Sequence, residues 1–135
     1  MIYLATTDDV DSIARLETRL FDNAMSLLML ERELAVGAGY LIGRPLQAYA
    51  LVRCDKGLFD LTRLGVDPGG QGQGLGTQLL IHVLALGTVV LTVRKDNERA
   101  LRLYRRHGFE IVAHLSAERA WVLRRASEAS VRPSP

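Results

Sequence analysis

The chain has 135 residues, 48% hydrophobic and 24% charged, with a formal net charge of +2. That length suits one domain and that balance supports a proper core, which excludes a disordered tail and a disulfide-stapled miniature. The single cysteine, Cys54, excludes an internal disulfide and a four-cysteine zinc site, and no metal site is expected.

No apolar run approaches the roughly 18–20 residues of a membrane span. Residues Met1 to Thr6 lack the basic flank and long apolar stretch of a signal peptide, so a cytoplasmic protein with no membrane partner is expected. Residues 1–60 carry six Arg/Lys against nine Asp/Glu, and residues 61–135 carry eleven against six. This suggests two surfaces with different electrostatic tasks, against the plainer reading of chance variation in a short chain. The basic half has few aromatics and no nucleic-acid motif, so no nucleic-acid partner is expected.

In chain order, residues 2–6 predict a short strand. Thr7 offers an N-cap hydroxyl, and Asp8, Asp9 and Asp11 place negative charge on the first turn of a helix over 8–22. Along it Val10, Ile13, Ala14, Leu16 and Leu20 recur at helical spacing. A second helix runs from near Ser26 to about Val36, where Gly37 and Gly39 stop it. Residues 40–43 and 48–52 flank Arg44-Pro45 as a hairpin, and Lys56-Gly57 turns the chain into a strand from Leu58 to Val66. Alternation there puts Asp60, Thr62 and Leu64 on one face and Phe59, Leu61 and Arg63 on the other.

Residues 79–86 are apolar almost all round, which predicts a buried helix with His82 buried or at its boundary. Residues 89–93 form a β-branched strand. Asp96-Asn97 then caps a helix with Ala100, Leu101 and Tyr104 on one face and basic side chains elsewhere, closed by His107 and Gly108. Strands follow near 110–113 and 120–123. Residues 1–125 are expected to form the domain and residues 126–135, rich in Ser and Pro, a disordered tail. Cys54 beside Asp55 lacks the electropositive surroundings that a reactive thiol needs.

Six of the twelve glycines lie between Gly65 and Gly76, between a strand and a helix. Such a turn grips phosphate: glycines bring backbone N–H groups close to the anion, and the helix N-terminus adds partial positive charge. Gly76 is followed by Thr77-Gln78 rather than Lys-Ser/Thr, so this is no P-loop and ordinary nucleotides are disfavoured. The dinucleotide fingerprint fails as well, because Gly70-x-Gly72 runs into Gln73-Gly74-Leu75. The strong apolar segments on either side argue against a plain linker.

Gln71-x-x-Gly74-x-Gly76, followed by Asn97-x-x-Ala100-x-x-x-Tyr104-x-x-x-Gly108-Phe109, closely resembles the two signatures of the GNAT superfamily of acetyl-CoA-dependent N-acyltransferases. The likeness spans residues 1 to about 124. Leu16-Glu-x-x-x-Phe21, Val93-Arg-x-x-Asn97 and Leu103-Tyr-Arg-Arg-x-Gly-Phe look most like the ribosomal-protein alanine N-acetyltransferase branch. The resemblance implies an α/β three-layer fold, with a mixed, splayed sheet and helices on both faces. It also implies direct transfer of an acetyl group from acetyl-CoA to a primary amine of a peptide N-terminus or small molecule.

In such proteins Leu64, Gly65 and Val66 would pair with the pantetheine arm. The loop Gln71, Gly72, Gln73, Gly74, Leu75, Gly76 and Thr77 would wrap the pyrophosphate, and Asn97 would hydrogen-bond the arm. Tyr104 would lie near the sulfur as the acid for the departing thiolate, packing on the sheet being the alternative. Arg94, Lys95, Arg99, Arg102, Arg105 and Arg106 add a basic stripe beside that site.

The alanine branch carries a glutamate before Val-Arg-x-x-Asn, where this chain has Thr92. Other members carry a carboxylate six residues before the valine that ends the central strand, a position that Asp60 fills here. Asp60 is expected to take the amine proton through water, or else to be an ordinary strand residue. The acidic residues Glu17, Asp22, Glu31 and Glu33 are expected to face a cationic acceptor, whether peptide α-amine, polyamine or aminoglycoside. A monomer or a homodimer fits equally. Thr92 also admits a degenerate CoA-binding module without turnover.

Overall fold

The computed structural model describes residues 1–127. Strand β1 is Ile2–Leu4, followed by a 3₁₀ turn at Thr7–Asp9 and helix α1 at Val10–Leu20. The cap is Thr6 rather than Thr7: its hydroxyl accepts from the Asp8 amide at 3.3 Å, and the Asp9 carboxylate accepts from the Thr6 amide at 2.9 Å. This reciprocal box satisfies two donors that a helix start leaves open, so the first turn tightens one residue earlier than expected. Helix α2, Leu27–Val36, starts under the Ser26 hydroxyl and leads directly into β2, Gly37–Ile42. Gly37 thus ends α2 while beginning the strand, and Gly39 lies inside β2 rather than stopping the helix.

Strands β3, Ala48–Asp55, and β4, Leu58–Val66, follow. Then come a 3₁₀ turn at Pro68–Gly70, α3 at Leu75–Leu84, β5 at Thr88–Arg94, α4 at Glu98–Arg106, β6 at Glu110–Leu115 and β7 at Ala120–Arg125. All seven strands form one sheet in the order β1-β2-β3-β4-β5-β7-β6, antiparallel except where β4 meets β5. Of the tail expected over 126–135, everything from residue 128 onward lies outside the described residues.

The sheet divides two apolar layers. On one face α1 and α2 bury Ile13, Leu16 and Leu30 against Leu41, Tyr49 and Leu51. On the other, α3 buries Leu79, Leu80 and Val83 against Ala48, Ala50, Val52, Leu61, Val89 and Leu91, while Leu101 and Tyr104 of α4 pack on the rim of that cluster. Side chains fully withdrawn from water contribute roughly 1.5–3 kcal/mol each, and this supplies the main drive for folding. Helix α3 is less enclosed than its composition predicts: Ile81 is 55% exposed, and His82 is exposed with its ring 4.7 Å from that of Tyr40. A helix packed on a sheet buries only one stripe, whatever residues fill the other.

A β-bulge breaks the alternation expected along β4. Leu51 pairs with Arg63 while Val52 pairs with Leu61, which leaves Thr62 as the extra residue. The phase therefore changes after Thr62. Arg63 turns towards α1, and Leu64 joins Leu61 on the α3 side rather than sharing the face of Asp60.

Candidate active site

Strands β4 and β5 pair in parallel over three residues only, Leu58 to Asp60 against Thr88 to Val90. Beyond these they diverge, because β5 bonds β7 on its far side while β4 continues along β3 to Val66. The divergence opens a cavity of about 620 Å³. One end is walled by Leu64, Gly65 and Val66 of β4, with Leu20 and Phe21 from the end of α1; the other side is roofed by Asn97, Ala100, Leu103 and Tyr104 of α4.

The glycine loop closes the remaining side. Gly74 precedes α3 in the left-handed region, at φ 75°, and no side chain caps the helix. The first amides of α3 are therefore left for something else to satisfy. Gly72 also has a positive φ of 83°, and a Cβ built at either glycine meets nothing within 4 Å, so both backbones border open space. Gly70, Gln71, Gly72, Gly74, Leu75, Gly76 and Thr77 all line the cavity, as do Arg99, Arg102 and Arg106. Uncapped amides and three arginines bordering one concavity fit a polyanionic phosphate group. Gln73 alone among the loop residues expected to hold the ligand is not part of this wall.

Asn97 lines the same cavity and caps α4, its side-chain oxygen accepting from the Ala100 amide at 3.2 Å. The Nδ2 group keeps two hydrogens to donate. Tyr104 faces the cavity with its ring 5.5 Å from Phe109, and its hydroxyl has no hydrogen-bond partner among the described residues. Burial pushes its phenol up to about 12. His107 closes α4, with Nδ1 2.9 Å from the Leu103 carbonyl.

Asp60 sits apart from the cavity wall, near the point where β4 and β5 separate. Its face is the one opposite α3. Val89, Leu91 and Val93 point into the α3-side core, so Val90 and Thr92 face the same way as Asp60, and Thr92 is exposed. Asp60 is exposed at its surface, but the protein crowded around its carboxyl takes away part of its water and raises it above its ordinary range; Arg53, its cross-strand neighbour, opposes the shift and Glu33 adds to it.

Two of the acids expected to meet an acceptor are committed elsewhere. Glu17 is fully buried: its carboxylate accepts from the Tyr49 hydroxyl, from Arg63 Nε at 2.9 Å and Nη2 at 3.0 Å, and from the Met25 amide at 2.9 Å. Burial, followed by the Glu17 hydrogen bond, raises the Tyr49 phenol far above its usual value. Glu33 is buried under Arg53 and lies 3.1 Å from the Thr62 hydroxyl. Buried carboxylates demand such partners, since an unpaired one costs several kcal/mol (~3–5). Asp22 and Glu31 are exposed. The signal for burial was present in the sequence: Glu17 lies four residues after Ile13 and three before Leu20, on the apolar stripe of α1.

Residues 26–111 match the family model described as the acetyltransferase (GNAT) domain. The chain is 35% identical over 141 aligned positions to the N-alpha-acetyltransferase RimI of Mycobacterium tuberculosis, covering 90% of this chain and 89% of that one. The chain belongs to the GNAT acetyltransferase family. Acetyl-CoA is the cosubstrate of that family's reaction, and the glycine-loop wall described above fits its phosphates.

Two solved structures share the GNAT fold. The ribosomal-protein-S18-alanine N-acetyltransferase of Escherichia coli superposes with a TM-score of 0.83 at 22% identity, covering 100% of both chains. Naa50 of Arabidopsis thaliana, solved with the bisubstrate analogue CoA-Ac-MVNAL, gives 0.77 at 21% identity over 93% of this chain and 98% of that one. Other relatives are matched over only part of their own length, 33% in the case of an uncharacterised Mycobacterium leprae protein.

Proposed function

We propose that this GNAT protein acetylates the α-amine of a peptide N-terminus, with Tyr104 and Asp60 as its proton-handling groups. The observation that carries the reading is the single cavity running from the uncapped start of α3 to Tyr104. The N-alpha activity in the printed name of the mycobacterial relative, and the peptide analogue bound by the Arabidopsis protein, favour a peptide over a small-molecule amine. Acetyl-CoA supplies an activated thioester. The amides of Gly72 to Thr77, with Gln71, hold its phosphates, and Leu64, Gly65 and Val66 receive its extended arm beside Asn97. Asp60 lies outside the wall, so it takes the ammonium proton through a water. The reaction takes place in the cytoplasm.

Acetyl-CoA should raise the thermal midpoint while ATP and NAD at equal concentration leave it unchanged. A hundredfold excess over Kd corresponds to roughly 2.7 kcal/mol of added stability. Gly74→Val should remove that protection, because a β-branched residue is strained at φ 75° and its side chain projects into the phosphate cradle. Protection by ATP alone, or full protection of the Gly74 variant, would reject the phosphate site. Acetylation is then followed by thiol release with a free-amine peptide, its N-blocked counterpart, a polyamine and an aminoglycoside; turnover of only the small amines excludes the peptide acceptor.

Asp60→Asn should lower kcat by about 10²-fold with acetyl-CoA binding retained, and higher pH should partly restore the rate as more amine becomes neutral. The raised carboxyl means that the folded protein binds this proton more tightly than the unfolded chain does. Stability is therefore lost as pH rises from the ordinary carboxylate range through the folded value. The Asn variant escapes that loss, so its thermal midpoint at neutral pH should not fall. Wild-type rates across pH 6–9 would remove Asp60 from the mechanism.

A further inference from the structure

Three restraints fix the segment after α1, and nothing in the proposed chemistry uses them. Arg63 stacks its guanidinium on the Phe21 ring at 4.1 Å from the centroid. The same guanidinium donates to Glu17 and, through Nη2, to the Asn23 carbonyl at 2.9 Å. Glu17 in turn accepts from the Met25 amide. One buried ion pair therefore holds residues 21 to 25 at three points, and the residue it stacks upon is a wall of the cavity.

Position along β4 says which part of the wall this is. The glycine loop follows Val66. Leu20 lies over Gly65, where an added Cβ would come within 2.9 Å of its Cδ1 and 2.7 Å of the Tyr49 ring. Phe21 lies over Arg63, two residues farther along β4 from the phosphate cradle, at the end of the cavity wall that Leu64 begins. An extended ligand anchored at α3 and running along β4 meets the Phe21 ring last.

We propose that Phe21, clamped by Arg63, closes the far end of the acyl pocket and restricts the transferred group to a short acyl chain. The proposal rests on the acetyl-CoA reading above and adds a specificity-determining residue to it. Arg63 is a positioning residue: Phe21 rests partly on the α1 and α2 core cluster, and stacking of the anchored guanidinium on its ring fixes one rotamer where core packing alone leaves it room to move. In a well-packed apolar pocket each extra methylene changes discrimination by about 10-fold or more.

The experiment measures kcat/KM for acetyl-, propionyl- and butyryl-CoA with one peptide acceptor, beside the thermal shift produced by CoA itself. In Phe21→Ala the ratio of butyryl to acetyl efficiency should rise by about 10-fold or more over wild type. Phe21→Leu, which keeps more of the apolar volume, should move the ratio the same way by less and covers the case in which the alanine variant does not fold. Arg63→Met should also relax the ratio, because the ring loses its clamp. A merely structural role would lower all three efficiencies together. An unchanged ratio in folded Phe21 variants that still gain stability from CoA overturns the role of Phe21 alone. A wild-type protein that gains no stability from CoA or any of its esters overturns the acetyl-CoA reading as well.

Discussion

Tyr104→Phe should lower kcat by about 10²–10³-fold while acetyl-CoA affinity stays within a few-fold of wild type. The ring still packs on Phe109 and on the sheet, so only the hydroxyl is lost. A thiolate leaving group develops negative charge, and a neutral O–H aimed at it stabilises that charge most strongly where water is excluded. Residue type alone suggests an acid of pKa near ~10, not far above a thiol. Burial moves the phenol to about 12, so complete proton transfer to sulfur is less favourable than that and hydrogen-bond donation carries more of the effect. The sign for pH follows: Tyr104 keeps its proton up to about 12, so wild-type kcat should not fall through its ionisation anywhere below about pH 11. A full-rate Phe variant in stopped-flow or steady-state assays would make Tyr104 a packing residue.

Glu17→Ala should cost about 3–5 kcal/mol of folding stability, read as a lower urea midpoint with an unchanged slope. The substitution leaves Arg63, whose side chain is only 15% exposed, without its carboxylate, and leaves the Tyr49 hydroxyl without an acceptor. Glu17→Gln keeps the volume and one acceptor but removes the charge, so its loss should be smaller. Adding Arg63→Met to Glu17→Ala should recover part of the loss, since an apolar pair no longer strands a buried charge. A Glu17→Ala variant within 1 kcal/mol of wild type would mean that water replaces the carboxylate at no cost.

Much of the glycine-loop and α4 side of the cavity was legible because its signals are local. Glycines that need positive φ, an Asn cap and a tyrosine seven residues after it read the same way in the sequence and in the fold. The side formed by β3, β4 and α1 was less so, because there the decisive relations are between distant elements. The bulge at Thr62 is a mismatch between β3 and β4 and leaves no mark in β4 alone, so Leu64 and Arg63 were assigned to the wrong faces. Glu17 and Arg63 are 46 positions apart, and although the apolar stripe of α1 marks Glu17 for burial, nothing local names Arg63 as its partner. Thr6 rather than Thr7 caps the first turn because two hydroxyls compete and only one has Asp9 three residues on.

The parting of β4 from β5 also bears on how the molecule avoids its own kind. A sheet edge on the outside of a protein invites any extended chain and is a common route to aggregation. Here two such edges are sunk into the interior, roofed by α4 and flanked by the end of α1. Covered in this way, the edges are open to one slender arm with amides of its own and screened from a neighbouring sheet. Backbone groups that would be a hazard at the rim of the molecule are thereby kept for a ligand thin enough to reach them.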